Sequence, residues 1–208
     1  MLAMKSLVGE VDILMLTLDT LRYDVAIEAL QAGRTPCLAS LIPAGWEERH
    51  TPGSFTYAAH AAFFAGFWPT PVLPGHQQRP FALRFTGSRS WGPETCVLDG
   101  ETIVAGLRLR GYSTICVGGV GFFNKLNPLG NVFPKLFDES QWRPDFGVSE
   151  FHSTRNQVRW VMQRLRELPP QHPVFLFLNI SALHQPTHMY LPGARDDSPA
   201  TQAAALEY

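Results

Sequence analysis

Val11-Asp-Ile-Leu-Met-Leu-Thr-Leu-Asp19 is the clearest strand signal in the sequence. It is a nearly continuous apolar run, which is typical of a parallel strand that is buried on both faces of a sheet. The run stops at an acidic residue. Two further segments have the same character, 112–117 and Val174-Phe-Leu-Phe-Leu-Asn-Ile180. We therefore expect three buried strands.

Helical segments separate these strands. The spacing of apolar residues and the positions of Gly and Pro predict helices over 24–31, 35–41, 56–67, 101–110 and 153–168. Strands that alternate with helices predict an α/β sandwich with a largely parallel sheet. The connecting segments are expected to be extended over 46–51 and irregular over 69–95 and 118–151.

Composition limits the class of protein. A chain of 208 residues suits one domain that spans 1–208, and 45% hydrophobic against 17% charged residues excludes intrinsic disorder. The chain has 17 Lys and Arg against 18 Asp and Glu, so the net charge is −1. Binding to nucleic acid or to an anionic membrane would need a basic face. We therefore expect neither as a partner.

The cysteines and the N-terminus bear on the cellular compartment. Cys37, Cys96 and Cys116 are odd in number and show no CxxC spacing, which speaks against a disulfide framework or a zinc finger. The sequence has no unbroken run of 18 apolar residues, so no membrane span is expected. Its first residues do not have the pattern of a signal peptide. The sequence predicts a cytoplasmic protein.

Polar residues follow two of the predicted strands. Asp19 ends the first strand, and the third strand runs through Asn179 to His184. Ligands of open α/β sheets bind beyond the carboxyl ends of the strands, so these residues are candidates for metal binding or acid–base chemistry. Two ordinary alternatives stay open. A carboxylate at a strand end often caps a helix, and a single histidine is often packed in a core.

Thr56 is expected where a loop enters a helix. Unpaired backbone N–H groups and the positive end of the helix dipole favour an anion such as phosphate there, and they stabilise a developing alkoxide. His60 lies four residues further on, on the same helix face. The alternative is that Thr56 is an ordinary helix N-cap.

The order of these motifs carries a family resemblance. Leu16-Thr-Leu-Asp19-Thr-Leu-Arg22-Tyr-Asp24 is followed by Thr35-Pro36-x-Leu38, Thr56-x-x-x-His60-Ala-x-x-x-x-Gly66, Gly111-Tyr-Ser-Thr114, Leu136-Phe-Asp138 and a segment that contains His184-Gln-Pro186. Together they resemble the alkaline phosphatase/sulfatase superfamily over residues 10–195. The chain is most similar to an uncharacterised bacterial group of hydrolases in that superfamily with a Thr nucleophile.

The resemblance implies a fold, a reaction and residue roles. The fold is an alkaline-phosphatase-like three-layer sandwich. The reaction is hydrolysis or transfer of small-molecule phosphate or phosphonate esters, with Thr56 as the nucleophile. A divalent metal, zinc or manganese, would be held by Asp19 and Thr56. His60 and His184 would orient substrate oxygens or assist proton transfer.

The sequence departs from the sulfatase pattern. Sulfatases need Cys or Ser followed by x-Pro-x-Arg, and here His60 occupies the position of the Arg. Gly119 occupies the position of a sulfatase Lys. A threonine nucleophile points instead to the phosphodiesterase and phospho-transfer branches. A sulfatase-like hydrolase of sulfuric esters stays open as an alternative.

The sequence also departs from the family at the metal site. The family completes that site with an Asp-His-Gly segment beyond the third strand, and no Asp-His pair occurs in this sequence. We therefore expect the C-terminal part of the family fold to be missing and the 208-residue chain to be inactive. The alternative is a non-catalytic binding or scaffold protein that keeps the fold.

Two further residues are weaker candidates for substrate contact. Lys125 follows the glycine-rich segment 118–124 and could meet a substrate phosphate. His188 follows the His184 segment and could line the same pocket. A surface position is the alternative for both.

A missing part of the sheet would leave a strand without a neighbour. A strand that is apolar on both faces, such as 174–180, invites pairing with another chain when its edge is open. We expect the isolated chain to self-associate into a homo-oligomer, or to melt at a lower temperature than a longer form of the protein. Light scattering and a thermal melt measure this. A monodisperse monomer that melts as high as the longer form would contradict it.

Overall fold

A computed structural model of the chain describes residues 4–53, 55–66, 101–169 and 172–208. Within these residues the centre of the molecule is a four-stranded sheet, formed by β1 (Ile13–Leu18), β2 (Ser113–Val117), β3 (Glu139–Gln141) and β4 (Val174–Ile180). The strands lie in the order β1-β4-β2-β3. Each neighbouring pair is parallel. The predicted α/β class with a parallel sheet is confirmed.

The described helices are α1 (Met4–Leu7), α2 (Tyr23–Gln31), α3 (Pro36–Leu41), α4 (Thr56–Ala65), α5 (Ile103–Leu109), α6 (Ser153–Glu167) and α7 (Pro199–Glu207). Helices α2 to α6 match the segments predicted from apolar spacing. Residues 46–51 form no strand. The predicted irregular segment 69–95 lies outside the described residues. None of the described helices combines the length and the apolar character that crossing a bilayer requires.

Strand β4 separates two hydrophobic cores. Phe175 and Phe177 face one core, which α4 and α5 cover. Leu176 and Leu178 face the other, which α6 and α7 cover. Because β4 lies between β1 and β2, all of its residues are buried. This two-sided burial explains the continuous apolar run in its sequence.

The first core is built from aromatic rings. Phe64, Phe123, Phe133 and Phe177 are fully buried. The ring centroids of Phe64 and Phe177 lie 5.1 Å apart in an edge-to-face arrangement, and those of Phe123 and Phe133 lie 5.3 Å apart and stacked. Both arrangements are favourable for aromatic pairs. This packing sets the position of α4 against the sheet.

The sequence did not predict β3. Its residues Glu139, Ser140 and Gln141 are polar and half-buried, so they carry no apolar pattern. They form a strand because they pair with β2, which presents an edge to them. Arg164 of α6 also holds this strand, since its Nε lies 2.8 Å from a carboxylate oxygen of Glu139. Tertiary contacts outweigh local propensity here.

The expectation that β1 is buried on both faces is wrong for one face. Leu14 is 59% exposed and Leu16 is 47% exposed. The reason is that the described side chains leave a groove over the face that carries Leu14 and Leu16. Among the described strands β1 pairs with β4 alone and forms an edge, whereas 174–180, the strand named for a possible open edge, lies inside the sheet. With Val158 and Met162 of α6, these leucines line an apolar groove of about 440 Å³.

Replacement of Phe177 by Ala should test the aromatic core. The side chain is fully buried and touches rings from several elements, so its loss leaves a cavity between α4 and the sheet. We expect Phe177→Ala to lower the free energy of unfolding by about 3–5 kcal/mol, as measured by urea denaturation. Leu109→Ala, at a position that is 85% exposed, is the matched control. Equal effects of the two changes would contradict this description of the core.

Candidate functional site

The candidate site lies where β1 ends and α4 begins. Asp19 directly follows β1, and Thr56 is the first residue of α4. The Thr56 hydroxyl donates a hydrogen bond to Asp19 Oδ1, with an oxygen–oxygen distance of 3.1 Å. The fold therefore brings together the two residues that were predicted as metal ligand and nucleophile.

The start of α4 is shaped by a close approach of the preceding loop. The N-cap residue Phe55 has no polar side chain, and its backbone is extended. A Cβ atom added to Gly53 would lie 2.5 Å from the Ala59 nitrogen, so only glycine lets the loop pass this close to the helix. The first N–H groups of a helix have no partner within it. The Thr56 hydroxyl thus stands at the positive end of the α4 dipole.

Asn179 holds the second oxygen of Asp19. Its Nδ2 donates to Asp19 Oδ2 over 2.9 Å, and its Oδ1 accepts from the backbone N–H of Val120 over 2.9 Å. Asn179 is fully buried near the end of β4. Both carboxylate oxygens of Asp19 are therefore held from fixed elements of the fold.

The hydrogen bonds continue from Asn179 back to Thr56. Asn179 Nδ2 also donates to Thr17 Oγ1 over 3.1 Å. Thr17 Oγ1 lies 3.1 Å from His60 Nε2, and His60 Nδ1 lies 2.7 Å from the carbonyl oxygen of Thr56. Thr56, Asp19, Asn179, Thr17 and His60 thus close a loop of hydrogen bonds, here called the polar ring.

The imidazole of His60 is enclosed by aromatic side chains. It is 4% exposed, and its ring lies 5.1 Å from that of Phe123 and 5.7 Å from that of Phe177. Burial lowers the pKa of His60 below the ordinary 6.5, against the opposing effects of the Thr56 carbonyl and the Asp19 carboxylate. His60 is therefore neutral at neutral pH. Both of its ring nitrogens are engaged within the protein, and its predicted role toward substrate stays a prediction.

A cavity of about 570 Å³ opens beside the polar ring. Asp19, Thr56 and His60 contribute to its wall, together with apolar side chains such as Phe55 and Phe63. Asp19 is only 5% exposed, and no Lys or Arg among the described residues forms an ion pair with it. A buried carboxylate without a cation is costly. The wall of the cavity therefore presents a nearly buried carboxylate that can attract a cation.

The donor set bears on the predicted metal. Asp19 and Thr56 offer oxygen ligands, and the described residues contain no cluster of three or more His, Cys, Asp or Glu that could hold an ion. A zinc site takes three or four protein ligands. Among the described residues, Asp19 and Thr56 alone are too few ligands to fit such an ion.

The other predicted site residues lie outside this cavity. The Nδ1 atom of His184 lies 2.8 Å from the carbonyl oxygen of Gln185, and that of His188 lies 3.2 Å from Asp197 Oδ1. Lys125 donates to the carbonyl oxygen of Ser140 on β3, at the opposite edge of the sheet from β1. The described lining of the cavity contains none of these three residues.

Thr17 was not predicted as a site residue, and Asn179 was named only as part of the segment that leads from the third strand to His184. Thr17 interrupts the apolar run of β1, and Asn179 interrupts that of β4. The two residues are directly opposite each other in the parallel register. A polar residue inside an otherwise apolar buried strand needs a hydrogen-bond partner, and this requirement is the signal that could have found them.

The turn after Asp19 is strained and held in place. Thr20 has a φ of 64°, which is unusual for a β-branched residue. Its hydroxyl donates to the carbonyl oxygen of Leu183 over 2.9 Å, and its own carbonyl accepts from Nε2 of Gln202 over 3.1 Å. Gln202 also accepts from the backbone N–H of Arg22. Strained residues of this kind persist when their surroundings hold them, and they occur often at functional sites.

Comparison of the chain with protein-family models, with curated proteins and with solved structures found no match. The fold and the site define an α/β protein in which a carboxylate and a hydroxyl are paired at the carboxyl edge of a parallel sheet. This edge is the usual place for ligands in such folds.

The protonation state of His60 predicts how stability depends on pH. Unfolding restores the pKa of His60 to its ordinary value of about 6.5. Just below that pH, His60 is therefore protonated in the unfolded chain and still neutral in the folded chain. The stability contributed by neutral His60 is therefore full above about pH 6.5 and is lost as the pH falls below it. We expect His60→Gln to reduce the loss in unfolding free energy between about pH 7.5 and pH 5.5, as measured in urea titrations.

The matched control for this change is His172→Gln, which replaces an exposed histidine. The informative quantity is the difference in pH dependence between the two variants. A pH dependence of His60→Gln equal to that of the unmodified chain would show that the imidazole is charged or solvated in the folded state.

Proposed function

We propose that the cavity binds a phosphate or phosphonate ester and that Thr56 attacks the phosphorus atom. One observation carries the proposal: the Thr56 hydroxyl, at the start of a ten-residue helix, donates to a buried carboxylate in the wall of an open cavity. An adjacent base activates a weak hydroxyl nucleophile, and a helix N-terminus favours phosphate. The order of motifs that resembles the alkaline phosphatase/sulfatase superfamily points the same way.

The geometry suggests how the side chains would share the reaction. As Thr56 Oγ1 forms a bond to phosphorus, Asp19 Oδ1 takes up the hydroxyl proton over the existing hydrogen bond. The ester P–O bond breaks, and the leaving alcohol oxygen takes a proton from water. The hydroxide that this leaves then attacks the phosphorus bound to Thr56, the P–Oγ1 bond breaks, Oγ1 takes back the proton from Asp19, and the phosphate or phosphonate is released. The α4 N–H groups stabilise the phosphoryl oxygens.

The proposed reaction is also to be tested in the presence of a divalent metal ion. The resemblance implies zinc or manganese at Asp19 and Thr56, and such an ion would supply positive charge beside the buried carboxylate. Assays of the proposed reaction therefore include each ion in turn.

A non-catalytic binding or scaffold role is the second candidate. It is favoured by the polar ring itself, in which both oxygens of Asp19 and both nitrogens of His60 are already paired within the protein. Stable, fully satisfied polar networks also serve to specify a core. Turnover of an ester by the protein separates the two candidates.

Replacement of Thr56 by Ala should remove the proposed activity. We expect Thr56→Ala to reduce hydrolysis of p-nitrophenyl phosphate monoesters and diesters to background, since the nucleophile is lost. Thr56→Ser should retain turnover, and Asp19→Asn should lower kcat by about 10²–10⁴-fold because the proton acceptor is lost. A phosphothreonine at residue 56, trapped by acid quench and found by mass spectrometry, would support the proposed intermediate.

Thr51→Ala is the matched control, since Thr51 lines the same cavity but lies outside the polar ring. Retention of full turnover by Thr56→Ala would show that another group is the nucleophile. Absence of turnover in a longer form of the protein, with either metal and for all of these esters, would favour the binding role, whereas turnover by the 208-residue chain itself would contradict the expectation that this form is inactive.

A further inference from the structure

We propose that Asn179 is a positioning residue of the site. Its carboxamide holds Asp19 so that Oδ1 faces the Thr56 hydroxyl, and it orients the Thr17 hydroxyl to donate to Nε2 of His60. The structural part of this inference stands on the polar ring alone. Its consequence for turnover rests on the proposed function.

The orientation of the Asn179 carboxamide is set by its partners. The backbone N–H of Val120 can only donate, so the carboxamide oxygen must face it. The two hydrogens of Nδ2 then point at Asp19 Oδ2 and Thr17 Oγ1, at 2.9 Å and 3.1 Å. Asn179 is fully buried, so water cannot replace any of these bonds. If the amide were flipped, its oxygen would face the carboxylate oxygen of Asp19 and its NH₂ group would face the backbone N–H of Val120.

The direction of every other bond in the ring then follows. The Thr56 carbonyl oxygen can only accept, so His60 Nδ1, 2.7 Å away, must carry a proton. In the neutral imidazole Nε2 is then an acceptor, and the Thr17 hydroxyl donates to it over 3.1 Å. Thr17 Oγ1 in turn accepts from Asn179, which the amide orientation provides. Each donor in the ring therefore meets an acceptor.

This arrangement fixes the nucleophile relative to its base. His60 is bonded to the carbonyl of Thr56 and so holds the first turn of α4 against β1. Asn179 holds the carboxylate that receives the Thr56 hydroxyl. Loss of the amide donors would release Asp19 Oδ2 and would also turn the Thr17 proton away from His60. Thr56, held through His60, and Asp19, held through Asn179, would then no longer be connected by hydrogen bonds through Thr17.

Long-range ¹H–¹⁵N NMR of the chain labelled with ¹⁵N-histidine tests the structural part. We expect His60 to show a protonated Nδ1 and an unprotonated, hydrogen-bonded Nε2. Asn179→Asp keeps the acceptor for Val120 but replaces both donors with an oxygen, and Thr17→Val removes the donor to Nε2. Both changes should shift the Nε2 resonance, whereas Thr17→Ser should preserve it. A proton on Nε2 in the unmodified chain would overturn the inference.

Asn156→Asp is the matched control for the change from Asn to Asp. Asn156 is half-buried on α6, and its Nδ2 donates to the carbonyl oxygen of Asp145, outside the polar ring. We expect this variant to leave the His60 signals in place. An unshifted Nε2 resonance in Asn179→Asp would also overturn the inference. A thermal melt accompanies each variant, and where Asn179→Asp does not fold, Thr17→Val compared with Thr17→Ser decides the outcome.

Kinetics with the p-nitrophenyl esters test the consequence for turnover. We expect Asn179→Asp to lower kcat by about 10–100-fold with a smaller change in KM, as for other residues that orient a reacting group. If Thr56→Ala loses turnover while Asn179→Asp keeps full kcat, the positioning role is wrong and the proposed function stands. If a longer form of the protein also shows no turnover, the proposed function fails and the NMR result alone decides the inference.

Discussion

The parallel register between β1 and β4 sets Thr17 opposite Asn179, and the rest of the site is built on that pair. Alternate residues of a strand point to opposite faces, so a shift of the register by one residue would send one of the two side chains into the other core. The register is held from both sides, because β4 also pairs with β2 over five residues. The polar ring therefore depends on the sheet, and the sheet depends on the apolar residues that flank Thr17 and Asn179.

The aromatic core gives the ring its environment. Phe123 and Phe177 pack against His60 and exclude water from its imidazole. In such surroundings a hydrogen bond is stronger than in water, and an unpaired polar group is more costly. The same rings that fix the position of α4 thus also keep His60 neutral. The contacts of Phe123 and Phe177 therefore contribute both to the stability of the fold and to the geometry of the site.

Asp19 stands at the boundary between this dry interior and the open cavity. Hydrogen bonds from Thr56 and Asn179 offset part of the cost of its burial, and Gln202 of α7 fastens the strained turn that follows it. The carboxylate is accordingly rigid and has no cationic side chain paired with it among the described residues. The carboxylate of Asp19 and the hydroxyl of Thr56 are thus held together at the wall of the cavity.

Local sequence patterns predicted the α/β class, the three long strands and helices α2 to α6, and the family resemblance of the motifs implied the pairing of Asp19 with Thr56. Apolar periodicity sets each of these elements locally, and the carboxyl ends of parallel strands lie at one edge of the sheet. The strand order follows only from the tertiary structure, in which β1 is an edge among the described strands and β4 is enclosed. Pairing with β2 also makes a strand of the polar segment β3. Lys125 is bonded to Ser140 of that strand and so lies at the edge of the sheet opposite β1. Strand order and hydrogen-bond partners arise from contacts between residues far apart in the chain, such as Thr17 and Asn179, and no local pattern in the sequence contains that information.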